Sequence, residues 1–169
     1  MVMRLTFATE TTEVGPLGGP TYKVPTEVNI TIRETDTYDV DLQLKWSSRE
    51  SKLVPTRVTF TSDPNGEPIS VSRIARISMR QAIQTDLEIK LLGEGGWQGI
   101  VKDNEGSDPF AVDALVYLIA IAVDSPHPSA TVATARGLAP SSGPKRVSDA
   151  RKRGLIPLTK PGKASASSV

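Results

Sequence analysis

Apolar residues fall on alternate positions through much of the front of the chain. Over 22–32 the even positions carry Tyr22, Val24, Val28, Ile30 and Ile32, while Lys23, Pro25, Glu27, Asn29 and Thr31 hold the odd ones. The alternation returns in Tyr38, Val40, Leu42, Leu44 and Trp46 against Asp39, Asp41, Gln43 and Lys45. A period of two sends successive side chains to opposite faces, so both segments read as strands with one wet face. The polar link Glu34-Thr35-Asp36-Thr37 makes them a hairpin. A further strand follows over 54–61, with Val58 and Phe60 on one face, and Asp63-Pro64-Asn65-Gly66 ends it with strong turn chemistry. A short first strand is expected over 3–8, and the Gly- and Pro-rich stretch 15–20 reads as a loop.

The period then changes. Ser78 and Gln81 form a capping-box pair, and Met79, Ala82, Ile83, Leu87 and Leu91 recur at helical spacing until Gly93 stops them. A shorter helical turn is expected at 71–75. Residues 1–92 therefore form an antiparallel β-meander with helical cover, an α+β unit. Four glycines (Gly93, Gly95, Gly96, Gly99) and the polar run Asp103-Asn104-Glu105-Gly106-Ser107-Asp108 predict a flexible junction over 93–108.

Beyond the junction, Asp108 and Pro109 make a helix start. Val112, Leu115, Val116, Ile119, Ala122 and Val123 then line a broad apolar face, the mark of a core helix. A second short helix opens at Pro128-Ser129 and closes at Gly137, and a third runs from about 142 to 153 with Val147 and Ala150 as apolar contacts and Gly154 as its stop. The expected architecture is thus an α+β domain over 1–92, serving homo-oligomerisation or effector sensing, then the junction, a small three-helix domain over 109–157 and a disordered tail over 158–169.

Length and composition narrow the class. A chain of 169 residues suits one ordinary domain or two small ones. With no cysteine there are no disulfides, thiolate metal sites or cysteine catalysis, and no need for an oxidising compartment. The first residues lack the apolar stretch of a secretory signal. The longest apolar run, over 114–123, is ten residues, and a membrane span needs about twenty. The expectation is a cytoplasmic protein with no membrane partner.

Charge changes the picture more. Residues 109–169 hold eight Lys/Arg against three acids, net +5, whereas residues 1–108 hold twelve against sixteen, net −4; the chain as a whole is +1. Such asymmetry points to a polyanion partner, since a basic segment gains affinity for phosphates by releasing condensed counterions.

The basic third also carries a motif. Two short helices that cross at about 90–120° need a small residue at the contact and a turn residue that tolerates positive φ. Ala133 and Gly137 meet those demands, with Leu138 and Val147 as the apolar anchors. The candidate DNA-contacting residues are then Ser141, Ser142, Lys145, Arg146, Ser148, Arg151, Lys152 and Arg153.

Pro128-Ser129-Ala130-Thr131-Val132-Ala133, Arg136-Gly137-Leu138 and 145–157, with its Ala150-Arg151-Lys152-Arg153-Gly154-Leu155-Ile156, resemble the C-terminal helix-turn-helix of small actinobacterial and actinophage proteins. The likeness covers roughly 30 residues and implies a double-stranded DNA partner and a role in transcription regulation. One departure is local. Ala139-Pro140-Ser141-Ser142-Gly143-Pro144 stands where the family runs helix formers, so the last helix starts late, at Ser142 or Gly143, and its base-reading end is short.

Other chemistry is thinly represented. His127 sits alone between two prolines, with no metal-ligand spacing near it. No Gly-x-Ser-x-Gly elbow occurs. Asp39 and Asp41 fall on a wet strand face, and Gly93-Glu94-Gly95-Gly96 lacks the Lys-Ser/Thr of a phosphate loop. Arg73, Arg76 and Arg80 form a second basic stripe that a solvated helix face explains as well. A non-enzymatic protein without metal or cofactor is expected. The alternative is a structural or adaptor protein, of phage type, whose basic C-terminal tail docks an acidic protein.

Overall fold

The structure is a computed structural model and describes residues 2–33, 38–62 and 87–157. The expected turns at 34–37 and 63–66, the helical turn at 71–75, the helix residues 78–86 with Arg73, Arg76 and Arg80, and the tail 158–169 lie outside the described residues.

The architecture is α+β, as the patterning requires. Strands β1 (Val2–Phe7), β4 (Glu27–Arg33), β5 (Tyr38–Ser47) and β6 (Lys52–Ser62) form an antiparallel sheet in the order β1-β4-β5-β6, and β2 (Thr11–Val14) pairs with β3 (Tyr22–Pro25) in a separate ribbon. Period two sets the faces. Val28, Ile30 and Ile32 of β4 stand opposite Leu44, Leu42 and Val40 of β5, all six buried. The other face is polar: Thr31 donates to Asp41 at 2.8 Å, Gln43 donates to Glu27 at 2.8 Å, and Arg33 pairs with Asp39 at 3.7 Å. Hydrogen bonds from Asn29 and Gln43, with Lys45 beside them, hold the Glu27 carboxyl below the usual carboxylate range.

Two strand expectations need correction. The segment 22–32 is two strands, because Pro25 has no amide to continue a ladder and Thr26 turns from one sheet to the other. Its amide donates to the Glu10 carbonyl and its own carbonyl accepts from the Trp46 amide. The partner of β3, strand β2, is absent from the expected elements altogether. On edge strand β6 the register slips beside Gln43, leaving Thr56 as the extra residue of a bulge next to Pro55.

The stretch read as a flexible junction holds a helix, α1 (Gly96–Asp103), which buries Ile100. It follows helical residues at 87–92. Then come α2 (Pro109–Ala122), α3 (Pro128–Ala135), a 3-10 turn (Pro140–Ser142) and α4 (Gly143–Lys152). Asp108 caps α2 by accepting the Phe110 amide at 3.1 Å, with Pro109 in the first turn.

Helix α2 is buried on almost every side, which a helix apolar all round demands. It packs against β2, β3 and β6 as well as against α1, α3 and α4. One hydrophobic core consequently runs from Val24 and Ile30 through Leu115 and Ile119 to Val132 and Val147. A polar tie crosses the expected seam too, where Lys52 reaches Asp124 at 3.0 Å; the Tyr22 hydroxyl donates to the Leu91 carbonyl at 2.7 Å within the expected first domain.

Candidate nucleic-acid interface

Helices α3 and α4 close against α2. Helix α3 ends in a Schellman motif: Gly137, at φ 68°, follows the last helical turn, its amide reaches the Thr134 carbonyl and the Leu138 amide reaches that of Ala133. The positive φ expected of Gly137 is present. Leu138, however, is 44% exposed and does not serve as the core anchor. Ala133 and Val147 are both buried, as expected of contact residues. The tightest approach lies elsewhere, where a Cβ on Gly143 would overlap the Ser129 carbonyl oxygen. Gly143 is what lets the start of α4 sit against the start of α3.

The eight candidate residues fall into three groups. Gly143, Val147 and Ala150 form the buried face of α4. Ser141, Lys145, Ser148 and Lys152 recur three to four positions apart on the side away from it, with Ser141, Lys145 and Lys152 exposed and Ser148 half-buried. Lys152 has Asp149 3.7 Å away, a surface pair of little strength. Ser142 sits at the helix start and donates to the Ala139 carbonyl at 2.7 Å.

The arginines are otherwise engaged. Asp113 of α2 is 1% exposed, and its two oxygens each accept a hydrogen bond of 2.8 Å, one from Arg136 Nε and one from Arg146 Nε. Arg136 also donates to the Pro109 carbonyl at 2.8 Å. Charge-assisted bonds of this length are the strong ones, and they satisfy a carboxylate that burial alone would penalise heavily. Arg151 donates to the Tyr117 hydroxyl at 2.7 Å and lies over the same ring, while its Nε is buried without a partner among the described residues. Arg153 stacks on Phe110, 3.6 Å from the ring centroid. Arg146, Arg151 and Arg153 thus bind α4 to α2.

Asp113 is the structural centre that the patterning does not single out. A signal for it exists: a lone acid inside an apolar helix has to find cations. Among the described residues no cluster of His, Asp or Glu is arranged to hold a metal ion, and no helix is long and apolar enough to cross a membrane. His127 is exposed at the start of α3.

The chain matches no protein-family model, no curated protein and no solved structure. What this surface does has to follow from its own residues.

Proposed function

We propose that the chain is a non-enzymatic DNA-binding protein, a transcriptional regulator of the actinobacterial or phage type, with α3 and α4 as its helix-turn-helix. The observation that carries this reading is the outer stripe made by Lys145, Ser148 and Lys152 of α4 with Ser141 of the preceding 3-10 turn, lying along a helix whose other side is anchored to α2. An anchored helix presents its polar side chains with little ordering of the backbone left to do on binding. Lys145 and Lys152 are the phosphate contacts, and the short serines are the base-edge contacts. Because α4 starts late and its base-reading end is short, phosphate contact contributes more than base readout.

The test is the salt dependence of binding by the full chain to duplex DNA, one native upstream region beside unrelated duplexes. Lys145→Ala with Lys152→Ala should lower the slope of log K against log salt by about 1.8, at about 0.9 for each phosphate no longer neutralised. Arg146→Ala should instead lower the melting temperature. An unchanged slope in the double lysine variant removes α4 from the contact.

One observation favours the second reading, an adaptor with an acidic protein partner. Arg136, Arg146, Arg151 and Arg153 already have intramolecular contacts, which leaves a thinner basic surface than the sequence suggests. Failure to bind any duplex at about 50 mM salt, where non-specific binding is far stronger than at physiological salt, would overturn the DNA reading in favour of this one.

A further inference from the structure

A groove of about 660 Å³ separates residues 88–97 from residues 125–134, and nothing in the proposed DNA contact uses it. That volume lies within the range of small-molecule sites, roughly 300–1,000 Å³. Its wall is apolar where Ile89, Leu92 and Trp97 line it, and Ile89 is 60% exposed. Among the described residues its charge is of one sign. Glu88 and Glu94 contribute carboxylates, His127 is the other titratable group, and neither lysine nor arginine lines it among the described residues.

Glu88 is the pivot. One of its oxygens accepts the Trp97 indole N–H at 3.2 Å, and the other has no partner among the described residues. Partial burial pushes its carboxyl up from the usual carboxylate range, the indole hydrogen bond offsetting only part of that effect. A half-desolvated carboxylate with an oxygen to spare, next to an indole and an apolar wall, suits a ligand that brings a positive charge on a hydrophobic body. The cation would meet Glu88 in a medium of reduced dielectric, where a charge pair is stronger than in water, and Trp97 is the preferred aromatic partner for a cation.

We propose that this groove is a binding site for small lipophilic organic cations. The site stands apart from the DNA reading, because none of its lining residues belongs to the outer stripe of α4.

Tetraphenylphosphonium and tetraphenylborate share shape and apolar surface and differ in the sign of charge. Isothermal titration of both into the full chain, in sodium buffer, separates charge recognition from greasy adsorption. The phosphonium should bind at least about tenfold more tightly than the borate, a factor of ten being what one modest charge contact supplies. Glu88→Gln should remove most of that preference. Thr134, exposed on α3 and lining the groove, provides a variant that leaves the core alone: Thr134→Arg should abolish phosphonium binding and strengthen that of the borate. Equal affinity for the two ions, absence of phosphonium binding, or binding indifferent to Thr134→Arg would each overturn the proposal.

Discussion

Asp113 shows how much one buried charge can organise. Its carboxylate joins three helices by accepting from Arg136, at the end of α3, and Arg146, within α4. Removing one member of such a cluster costs more than the cluster contributes, because the survivors stay largely desolvated without their counter-charge. Asp113→Ala should therefore lower stability by about 3 kcal/mol, the lower end for buried pairs, since both guanidiniums reach some solvent. Replacing all three by apolar residues, Asp113→Leu with Arg136→Met and Arg146→Leu, should recover most of that loss. Urea denaturation reads both; an Asp113→Ala protein as stable as wild type would mean that the bonds contribute nothing net. Helical spacing puts Arg146 and Arg151 on α4 correctly, but which way they face depends on an acid and a tyrosine more than thirty residues upstream. The same spacing sets Lys145 and Arg146 on different sides of the helix without saying which of the two meets solvent.

Among the elements, the contact between α3 and α4 rests on two glycines with different duties. Gly137 needs its left-handed backbone, and a Cβ there would meet open space; Gly137→Ala should cost about 1 kcal/mol of backbone strain. Gly143 has ordinary helical angles, yet a Cβ would strike the Ser129 carbonyl oxygen, which cannot rotate aside. Gly143→Ala must push two helices apart and should cost more, at or above the upper end of the roughly 1–3 kcal/mol of overpacking. Thermal melts should rank wild type above Gly137→Ala and Gly137→Ala above Gly143→Ala. The reverse order of the two variants would mean that the helices do not approach as closely as described.

Legibility also varies from element to element. Strands β4, β5 and β6 follow from alternation, and the start of α2 follows from Asp108 and Pro109. Strand β2 is hidden because Thr11, Thr12 and Glu13 offer no alternation and only Val14 is buried. Helix α1 is hidden by its glycines, although Trp97 and Ile100 pack on the core. In the candidate site, the lysines and serines of α4 are legible from spacing, whereas the engagement of the arginines is not, because it is set by residues of α2.

For the whole molecule, continuity of the core decides how it unfolds. Trp46 lies on β5, in the expected first domain, and Trp97 on α1, within the expected junction, and both pack against the same cluster. Single-tryptophan variants, Trp97→Phe and Trp46→Phe, should report urea transitions whose midpoints each coincide with that variant's far-UV dichroism. A tryptophan signal that leaves the dichroism curve behind would reveal two separately folding units.

The shared helix bears on descent. The abrupt change of charge near residue 108 looks like a place where two genes were joined, and elsewhere such a seam would be a natural point for recombination to exchange one DNA-reading end for another. Here α2 lies beyond the seam but fills the space under β2, β3 and β6. A crossover there would deliver a recipient sheet the wrong filling and a donor helix with no sheet to cover, so the two halves of this chain are bound to be inherited, and to diverge, together.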